Sequence, residues 1–446
     1  EIEEYGVDRF NEACRGIVLR YTKEWEDIVE RIGRWVDFDN GYRTMDASYM
    51  ESIWWVFKQL WDKDLIYEGH KILPYCPRCA TPLSNFEANQ GYADVQDPSV
   101  TLRFQSCDEP DLYFLAWTTT PWTLPSNLAL AVNAEVDYVV VADGPNRYVL
   151  AAGRLDTYYR DEAPEIVARL KGSDLVGKRY CPLFPYFSAL ADDGAFRIVA
   201  ADFVSTENGT GIVHMAPGFG EDDSVVCRAE GIPMVCPLDS ECCFTEDVPD
   251  YAGRAAKDAD RDIIRRLKSE GKLIHQSTCQ HSYPHCWRCE APLIYRAVST
   301  WFVRVERIKD LLLSANREIR WVPEHLRDGR FGKWLENAHD WAVSRNRYWG
   351  CPLPIWRSED GSEAVCLGSV AELEELTGQK VDDIHKHLVD KLVIPSSTGK
   401  GELRRVPEVL DCWFESGSMP YAQHHYPFEN KELVEQHFPA DFIAEG

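Results

Sequence analysis

The periodicity of hydrophobic and polar positions differs between parts of this 446-residue chain. Residues 5–35 and 45–65 carry apolar side chains at helical spacing among many charges, which predicts two helices, the second capped by Asp46. From about residue 91 to about residue 273 the pattern changes to short β-rich runs broken by Gly, Pro, Asn and Asp. Helical spacing then returns. The pattern therefore predicts a mostly β domain inserted into a helical or α/β host.

The predicted elements and domain boundaries follow from these changes in hydrophobic periodicity. Predicted strands cover 136–141, 147–151, 196–204, 211–215 and 351–356, and predicted helices cover 222–230, 257–271, 308–315, 325–337 and 370–376. We expect a helical first part at 1–90, an inserted domain at 91–280 and a return to the host at 281–446.

Charge and composition narrow the class of protein. With 48 Lys and Arg against 73 Asp and Glu, the net charge is −25, which argues against nonspecific coating of nucleic acid. Residues 112–134 contain no charge, but two prolines, four threonines and asparagines make a membrane span unfavourable. Chemistry on the end of one RNA remains compatible with this charge. We expect a soluble protein of the cytoplasm with no membrane partner.

The 15 cysteines include two Cys-x-x-Cys pairs, Cys76/Cys79 and Cys286/Cys289. Four thiolates in two tight turns suit tetrahedral zinc, and the wide gap between the pairs requires the intervening domain to return to its starting point. An inserted domain does so. The alternatives are reduced turns without metal and redox pairs, although the βαβ context of the latter is missing.

Two further motifs carry candidate chemistry. The run WTTTPWTLPSN at 117–127 places consecutive hydroxyls beside prolines and an indole, which suits an uncharged pocket, although threonine runs are also ordinary strands. The run GTGIVHMAPGFGEDD at 209–223 has glycines that admit close approach of a ligand, with His214 and Asp223 nine residues apart. A lone histidine after a strand more often serves packing.

Together these motifs resemble the isoleucyl-tRNA synthetase family of class I aminoacyl-tRNA synthetases. The resemblance also covers SYPHCWRC at 282–289, SRNRYWGCPLPIW at 344–356 and DCWFESGS at 411–418. The related valine and leucine enzymes carry Thr-Arg-Pro where this chain has TTTP at 118–121. The resemblance implies a Rossmann-type catalytic core with an inserted, barrel-like editing domain.

The same resemblance implies that the chain is an internal part of such an enzyme. The family's His-Ile-Gly-His and Lys-Met-Ser-Lys-Ser motifs, which act on ATP, are missing here. We therefore expect ATP and Mg²⁺ to serve only the full-length enzyme, and this chain alone not to charge tRNA. Isoleucine-dependent ATP–pyrophosphate exchange would contradict that expectation.

The resemblance also implies site residues and partners. The expected editing site, which hydrolyses Val-tRNA(Ile), comprises Thr118, Thr119, Thr120, Trp122, Asn127, His214 and Asp223. In it Asp223 binds the α-ammonium of the amino acid, the threonines hold the terminal adenosine and a water, and His214 helps to exclude isoleucine. Trp413, Glu445 and Gly446 are implied contacts to the aminoacyl-adenylate. The zinc is expected to be structural because four thiolates leave no coordination position open. The expected partners are tRNA(Ile) and valine or isoleucine moieties, with the protein a monomer.

Two other functions remain open from the sequence. A valyl-tRNA synthetase fragment is disfavoured by the missing Thr-Arg-Pro sequence. A non-catalytic zinc-binding RNA module would have the same cysteine pairs but would not hydrolyse an aminoacyl ester.

Overall fold

The computed structural model describes residues 2–160, 163–399 and 401–442. The chain divides into two compact units. A discontinuous unit contains Glu1–Gly69 and Ser299–Gly446, and a continuous unit contains His70–Val298. The continuous unit extends beyond the predicted boundaries near residues 90 and 280 on both sides. It therefore also includes both Cys-x-x-Cys pairs, which lie just outside those boundaries.

The first part of the discontinuous unit is helical. Its helices are α1 (Ile2–Tyr5), α2 (Val7–Val18), α3 (Thr22–Arg31) and α4 (Ala47–Asp62), and strand β1 (Ile66–Cys76) follows them. The single helix predicted over 5–35 is broken, because Gly6 has a φ of 100° and the chain turns again at residues 19–21. Asp46 occupies the N-cap position of α4 but makes no capping hydrogen bond through its side chain.

The continuous unit is built around a large sheet. The elements of this unit are β2 (Thr81–Pro82), α5 (Asn85–Ala88), β3 (Tyr92–Gln105), β4 (Leu112–Thr118), β5 (Ala129–Val132), β6 (Asp137–Asp143), β7 (Asn146–Ala151), α6 (Leu155–Tyr158), β8 (Glu165–Lys171), β9 (Arg197–Ala200), β10 (Val213–Met215), α7 (Glu221–Ala229), α8 (Asp260–Ser269) and β11 (Leu273–Pro284). Strand β12 (Ile294–Val303) begins in this unit and continues past its last residue, Val298. A 3₁₀ helix spans Pro121–Ser126. Because the strands carry alternating or wholly apolar residues, one large hydrophobic core lies between the sheet and helices α7 and α8.

The order of strands in this sheet positions the candidate site. Among the described residues the order is β8-β6-β7-β4-β10-β5-β9, and β3 joins β4 to β11. Strand β10 runs parallel to β4 and antiparallel to β5, with His214 opposite Leu130. The chain from β4 to β5 must therefore cross over β10. That crossing carries residues 119–128, which include most of the uncharged motif.

The rest of the discontinuous unit mixes helices with short strands. They are α9 (Val305–Glu318), α10 (His325–Asp328), α11 (Arg330–Glu336), β13 (Trp341–Ala342), β14 (Ser344–Arg345), β15 (Ile355–Arg357), β16 (Ala364–Cys366), α12 (Val370–Thr377), α13 (Lys386–Val389), β17 (Val393–Pro395), β18 (Glu402–Arg405), β19 (Val409–Leu410), α14 (Cys412–Gly417), α15 (Met419–Ala422) and α16 (Lys431–His437). Of the predicted strand 351–356 only the end is a strand. Trp54 and Phe57 of α4 are fully buried in the core of this unit.

None of the helices in the described ranges combines the length and the apolar character that crossing a bilayer requires.

Candidate functional site

The centre of the candidate site is a neutral hydrogen-bond network around His214. His214 lies on β10 and is 7% exposed. Its Nδ1 atom lies 2.8 Å from Asn127 Nδ2, and its Nε2 atom lies 2.9 Å from Thr123 Oγ1. The segment that crosses over β10 therefore places an amide and a hydroxyl on the two nitrogens of one imidazole.

The partners of these groups determine the tautomer of His214. Asn127 Nδ2 also donates to the Ala129 carbonyl at 2.9 Å, and Tyr180 OH donates to Asn127 Oδ1 at 2.8 Å, so Asn127 presents an N–H to His214. The Thr123 hydroxyl donates to the Thr120 carbonyl at 2.8 Å and must accept from the ring. His214 is thus neutral with its proton on Nε2. Burial lowers its pKa to about 3.

The threonine hydroxyls extend this network toward the end of β4. Thr120 Oγ1 lies 3.2 Å from Thr123 Oγ1 and 3.1 Å from Thr118 Oγ1. The Thr120 backbone N–H also donates to Thr118 Oγ1 at 3.1 Å. Thr119 is half-buried, and its hydroxyl makes no hydrogen bond to another described residue. Of the three consecutive threonines, Thr118 and Thr120 thus contribute their hydroxyls to the network around His214.

Asp223 lies in the first turn of α7 and brings the only expected charge to the site residues. Its Oδ2 accepts from the backbone N–H of Ala216 at 2.8 Å, two residues after His214. A Cβ on Gly220 would lie 2.6 Å from the Asp223 carboxyl carbon, so glycine leaves room for this carboxylate. Burial is the main cause that raises the pKa of Asp223 to about 6, and the neighbouring Asp222 adds to it.

Trp122 is buried against Phe219. Its side chain is 3% exposed, and its ring centroid lies 5.0 Å from that of Phe219 in an edge-to-face contact. The indole N–H has no hydrogen-bond partner among the described residues. Trp122 therefore fixes the 3₁₀ turn against the segment that precedes Asp223.

Sequence reasoning did not single out three groups that this geometry includes. Thr123 stands inside the quoted threonine motif, three residues after Thr120, and that spacing was an available signal. Tyr180 had no signal, because a lone tyrosine 53 residues from Asn127 belongs to no motif. Asp260 begins α8, and burial raises its pKa to about 7 although the Trp122 backbone N–H opposes this shift.

The four motif cysteines form a second cluster in the same unit. The Sγ atoms of Cys76, Cys79, Cys286 and Cys289 all lie within 4.8 Å of one another. Cys289 Sγ is 3.4 Å from Cys76 Sγ and 3.6 Å from Cys79 Sγ. In a tetrahedral zinc site with Zn–S bonds of about 2.3 Å, the sulfurs are about 3.8 Å apart, so the donor type and spacing fit a metal ion.

The two cysteine turns have matching backbones. Ala80 and Glu290, which directly follow Cys79 and Cys289, both have positive φ values, of 50° and 61°. This conformation turns the chain back immediately after the second thiol of each pair. The cluster could therefore hold an ion through two equivalent turns.

The expected adenylate contacts belong to the discontinuous unit. Trp413 lies in α14 with 37% of its surface exposed, and its backbone N–H donates to Asp411 Oδ1 at 3.1 Å. Glu445 and Gly446 lie outside the described residues. The helix start at Asp411 thus fixes the backbone that carries Trp413.

Comparison with known proteins gives long, strong sequence matches. The chain is 56% identical over 480 residues to an isoleucine--tRNA ligase of Treponema denticola and 57% identical over 450 residues to one of Bdellovibrio bacteriovorus. It is 54% identical over 455 residues to the cytoplasmic isoleucine--tRNA ligase of Mus musculus. Each match covers 100% of this chain but 44%, 42% and 36% of these relatives respectively. The chain thus spans less than half of their length.

A solved structure and a family model complete the comparison. The editing domain of the Plasmodium knowlesi cytosolic leucyl-tRNA synthetase is 12% identical with a TM-score of 0.33, a weak likeness that covers 42% of this chain and 98% of that one. The family model described as class I tRNA synthetases for I, L, M and V matches residues 1–446. Since that match extends over the whole sequence, the chain belongs to the class I tRNA synthetase family.

Proposed function

We propose that the chain is part of an isoleucine–tRNA ligase, which joins isoleucine to tRNA(Ile) with ATP and Mg²⁺. The support is the shared name of relatives that are 54–57% identical across this whole chain. In this proposal the discontinuous unit contributes to a Rossmann-type catalytic core. Trp413, Glu445 and Gly446 contact the aminoacyl-adenylate there.

The continuous unit then hydrolyses the ester of Val-tRNA(Ile). Valine differs from isoleucine by one methylene, and a binding pocket discriminates only weakly against a smaller apolar ligand. A second site that accepts valine and excludes isoleucine corrects the error. The observation that carries this proposal is a buried, uncharged network of hydroxyl, amide and imidazole groups, with the Asp223 carboxylate held by the backbone two residues after His214.

Asp223 is the group that selects an amino acid. An aminoacyl ester carries a free α-ammonium, and a carboxylate forms a charge-assisted hydrogen bond with it. Partial burial strengthens this contact because the effective dielectric constant is lower than in water. Asp223 has one oxygen fixed by Ala216, so the carboxylate is already oriented when the substrate arrives.

The threonines bind the terminal adenosine and the attacking water. The half-buried Thr119 contributes a hydroxyl that can both donate and accept in this role. His214 is not the general base, because both ring nitrogens are hydrogen-bonded and burial lowers its pKa to about 3. Its role is to position Asn127 and Thr123 and to limit the space for a larger side chain. The ester is already activated, so orientation of water suffices.

The cysteine cluster binds zinc in this proposal. Thiolate donors suit Zn²⁺, and four of them leave no position for a substrate, which is typical of a structural site. The four cysteines would hold together the ends of the inserted segment, near its first and last strands.

The decisive experiment measures loss of each ester from Val-tRNA(Ile) and Ile-tRNA(Ile) with the purified protein. We expect faster hydrolysis of the valyl ester alone. Asp223→Asn should reduce that rate on the order of 100-fold, because a hydrogen bond to a charged group is lost. Asn keeps the acceptor for Ala216, so the unfolding midpoint should be preserved. Asp222→Asn, at the exposed neighbouring position, is the matched control and should retain hydrolysis.

Weak binding of the tRNA is separated from a wrong assignment by a small substrate. Valyl-adenosine ester presents the same α-ammonium and terminal nucleoside without the tRNA body. If the protein hydrolyses neither substrate above the uncatalysed rate, the hydrolytic proposal is wrong. An RNA module without catalysis would then be the better description.

A further inference from the structure

Two cysteines outside both sites lie side by side on the surface of the continuous unit. Cys107 follows strand β3, and Cys181 follows Tyr180. Their Sγ atoms are 3.7 Å apart although 74 residues separate them in the chain. Both side chains are exposed, whereas Cys227 and Cys351 are buried. The pair is thus open to dissolved reagents.

The backbone around this pair is fixed by antiparallel pairing. Ser106 and Tyr180 form a β-bridge, and both side chains are buried. The N–H of Cys107 donates to the Arg179 carbonyl at 3.0 Å, and the N–H of Cys181 donates to the Gln105 carbonyl at 2.8 Å. Because side chains alternate between faces of paired strands, the residues that follow Ser106 and Tyr180 share the outer face.

We propose that Cys107 and Cys181 are a modification site. A small-molecule disulfide such as oxidised glutathione oxidises the two thiols, which then form a reversible disulfide with each other. One thiolate attacks a sulfur of the reagent and releases one glutathione thiolate. The other thiolate attacks the mixed disulfide and releases the second. The protein loses two electrons and two protons, and oxidised glutathione becomes two reduced molecules. The sulfurs must approach from 3.7 Å to about 2.05 Å for this bond to form.

The thiols of this pair interact with each other as well as with solvent. Partial desolvation and the neighbouring Cys181 thiol raise the pKa of Cys107, while Arg179 opposes the shift. Cys181 adjoins Tyr180, whose hydroxyl holds Asn127. The disulfide would therefore lock the segment beside the His214 network. This consequence for hydrolysis rests on the proposed function, whereas the disulfide itself does not.

Peptide mapping tests the disulfide directly. The metal-loaded protein is incubated with oxidised glutathione, quenched with an alkylating reagent and digested with trypsin without reduction. Trypsin yields peptides 104–147 and 180–197, each with a single cysteine. We expect a linked pair of these peptides whose mass is lower than their sum by two hydrogens. Dithiothreitol should separate it.

Variants separate the disulfide from other thiol chemistry. Cys107→Ser and Cys181→Ser should each abolish the linked pair, and Cys279→Ser, at a half-buried cysteine of β11, should retain it. Glutathione on the two peptides separately, or free thiols at both positions after oxidation, would overturn the proposal. Neither readout measures ester hydrolysis, so a failure here is distinct from a failure of the hydrolytic proposal.

Discussion

The continuous unit contains two sites, the His214 network and the cysteine cluster, whose buried polar atoms have different kinds of neighbours. Around His214 donors and acceptors alternate, so that the imidazole, the Asn127 amide and the Thr123 hydroxyl satisfy one another. In the cysteine cluster all four groups are of one kind, and their sulfurs crowd within 4.8 Å. The first arrangement is complete within the protein. The second gathers four sulfur donors of one kind, which suits a bound cation.

We expect this difference to give the two sites different roles: preorganisation in the His214 network and stability in the cysteine cluster. Hydrogen bonds between neutral groups hold the first site in one geometry without a ligand, as expected for a site that positions a water. Cysteines bind a metal ion as thiolates and stay protonated without one, so the contribution of a metal site to folding depends on the metal. We therefore expect changes at the cysteines to affect folding and changes near His214 to affect selectivity.

The largest effect should follow Cys286→Ser, which removes a buried donor from the cluster. We expect loss of bound zinc and a free energy of unfolding lower by about 4 kcal/mol or more, since loss of a metal belongs to the most destabilising class of mutations. Zinc content by mass spectrometry and urea unfolding measure the two quantities. Cys279→Ser should leave both unchanged. Zinc-free wild-type protein with full stability would remove the contrast between the sites.

A large effect on selectivity should follow His214→Ala. The change opens space beside Thr123 and Asn127, and one methylene of additional room changes discrimination by about 10-fold. Hydrolysis of Ile-tRNA(Ile) should rise relative to Val-tRNA(Ile), at some loss of stability because Thr123 and Asn127 each lose one buried hydrogen bond. His275→Ala, at an exposed histidine of β11, is the control. An unchanged ratio of the two rates would show that His214 does not limit the pocket.

The pH dependence tests the charge in the first site. Burial raises the pKa of Asp223 to about 6, and the charged form is the one that binds an α-ammonium. Therefore kcat/KM for valyl ester hydrolysis should fall about 10-fold per pH unit below pH 6 and should flatten above it. Asp222→Asn removes a charge that raises this pKa, so the bend should move to lower pH. A bend that does not move would assign it to another group.

The sequence indicated which residues belong to the two clusters better than it indicated how those residues contact one another. The cysteine pairs predicted one four-thiolate site on the condition that the intervening domain returns to its starting point, and the structure brings all four sulfurs together. The threonine motif, His214 and Asp223 follow from residue types and glycine positions. The contact of Tyr180 with Asn127 follows from no local pattern, because it depends on strand order. The proton position on His214 depends in turn on that contact.

Trp122 is a second residue whose position in the structure could not be predicted from the sequence. The motif predicts that its indole lines the pocket, and the structure buries it against Phe219. Sequence cannot separate these cases, because an aromatic beside prolines suits either role. Similarly, helical spacing over 5–35 did not reveal the breaks at Gly6 and residues 19–21, since local charges and apolar residues keep the same period across them.

The smallest expected effect is that of Tyr180→Phe, which removes one hydroxyl from the neutral network. Tyr180 OH donates to Asn127 Oδ1 at 2.8 Å, and Tyr75 OH donates to the Ser240 carbonyl at the same distance, with both rings buried in the same unit. Each Phe variant should lower the free energy of unfolding by about 1 kcal/mol. Hydrolysis of the valyl ester should fall several-fold only in Tyr180→Phe, because only there does Asn127 lose the contact that orients it toward His214. Equal rates in the two variants would show that the network keeps its geometry through Ala129 and Thr123 alone, and the first site would then be less dependent on long-range contacts than its strand order suggests.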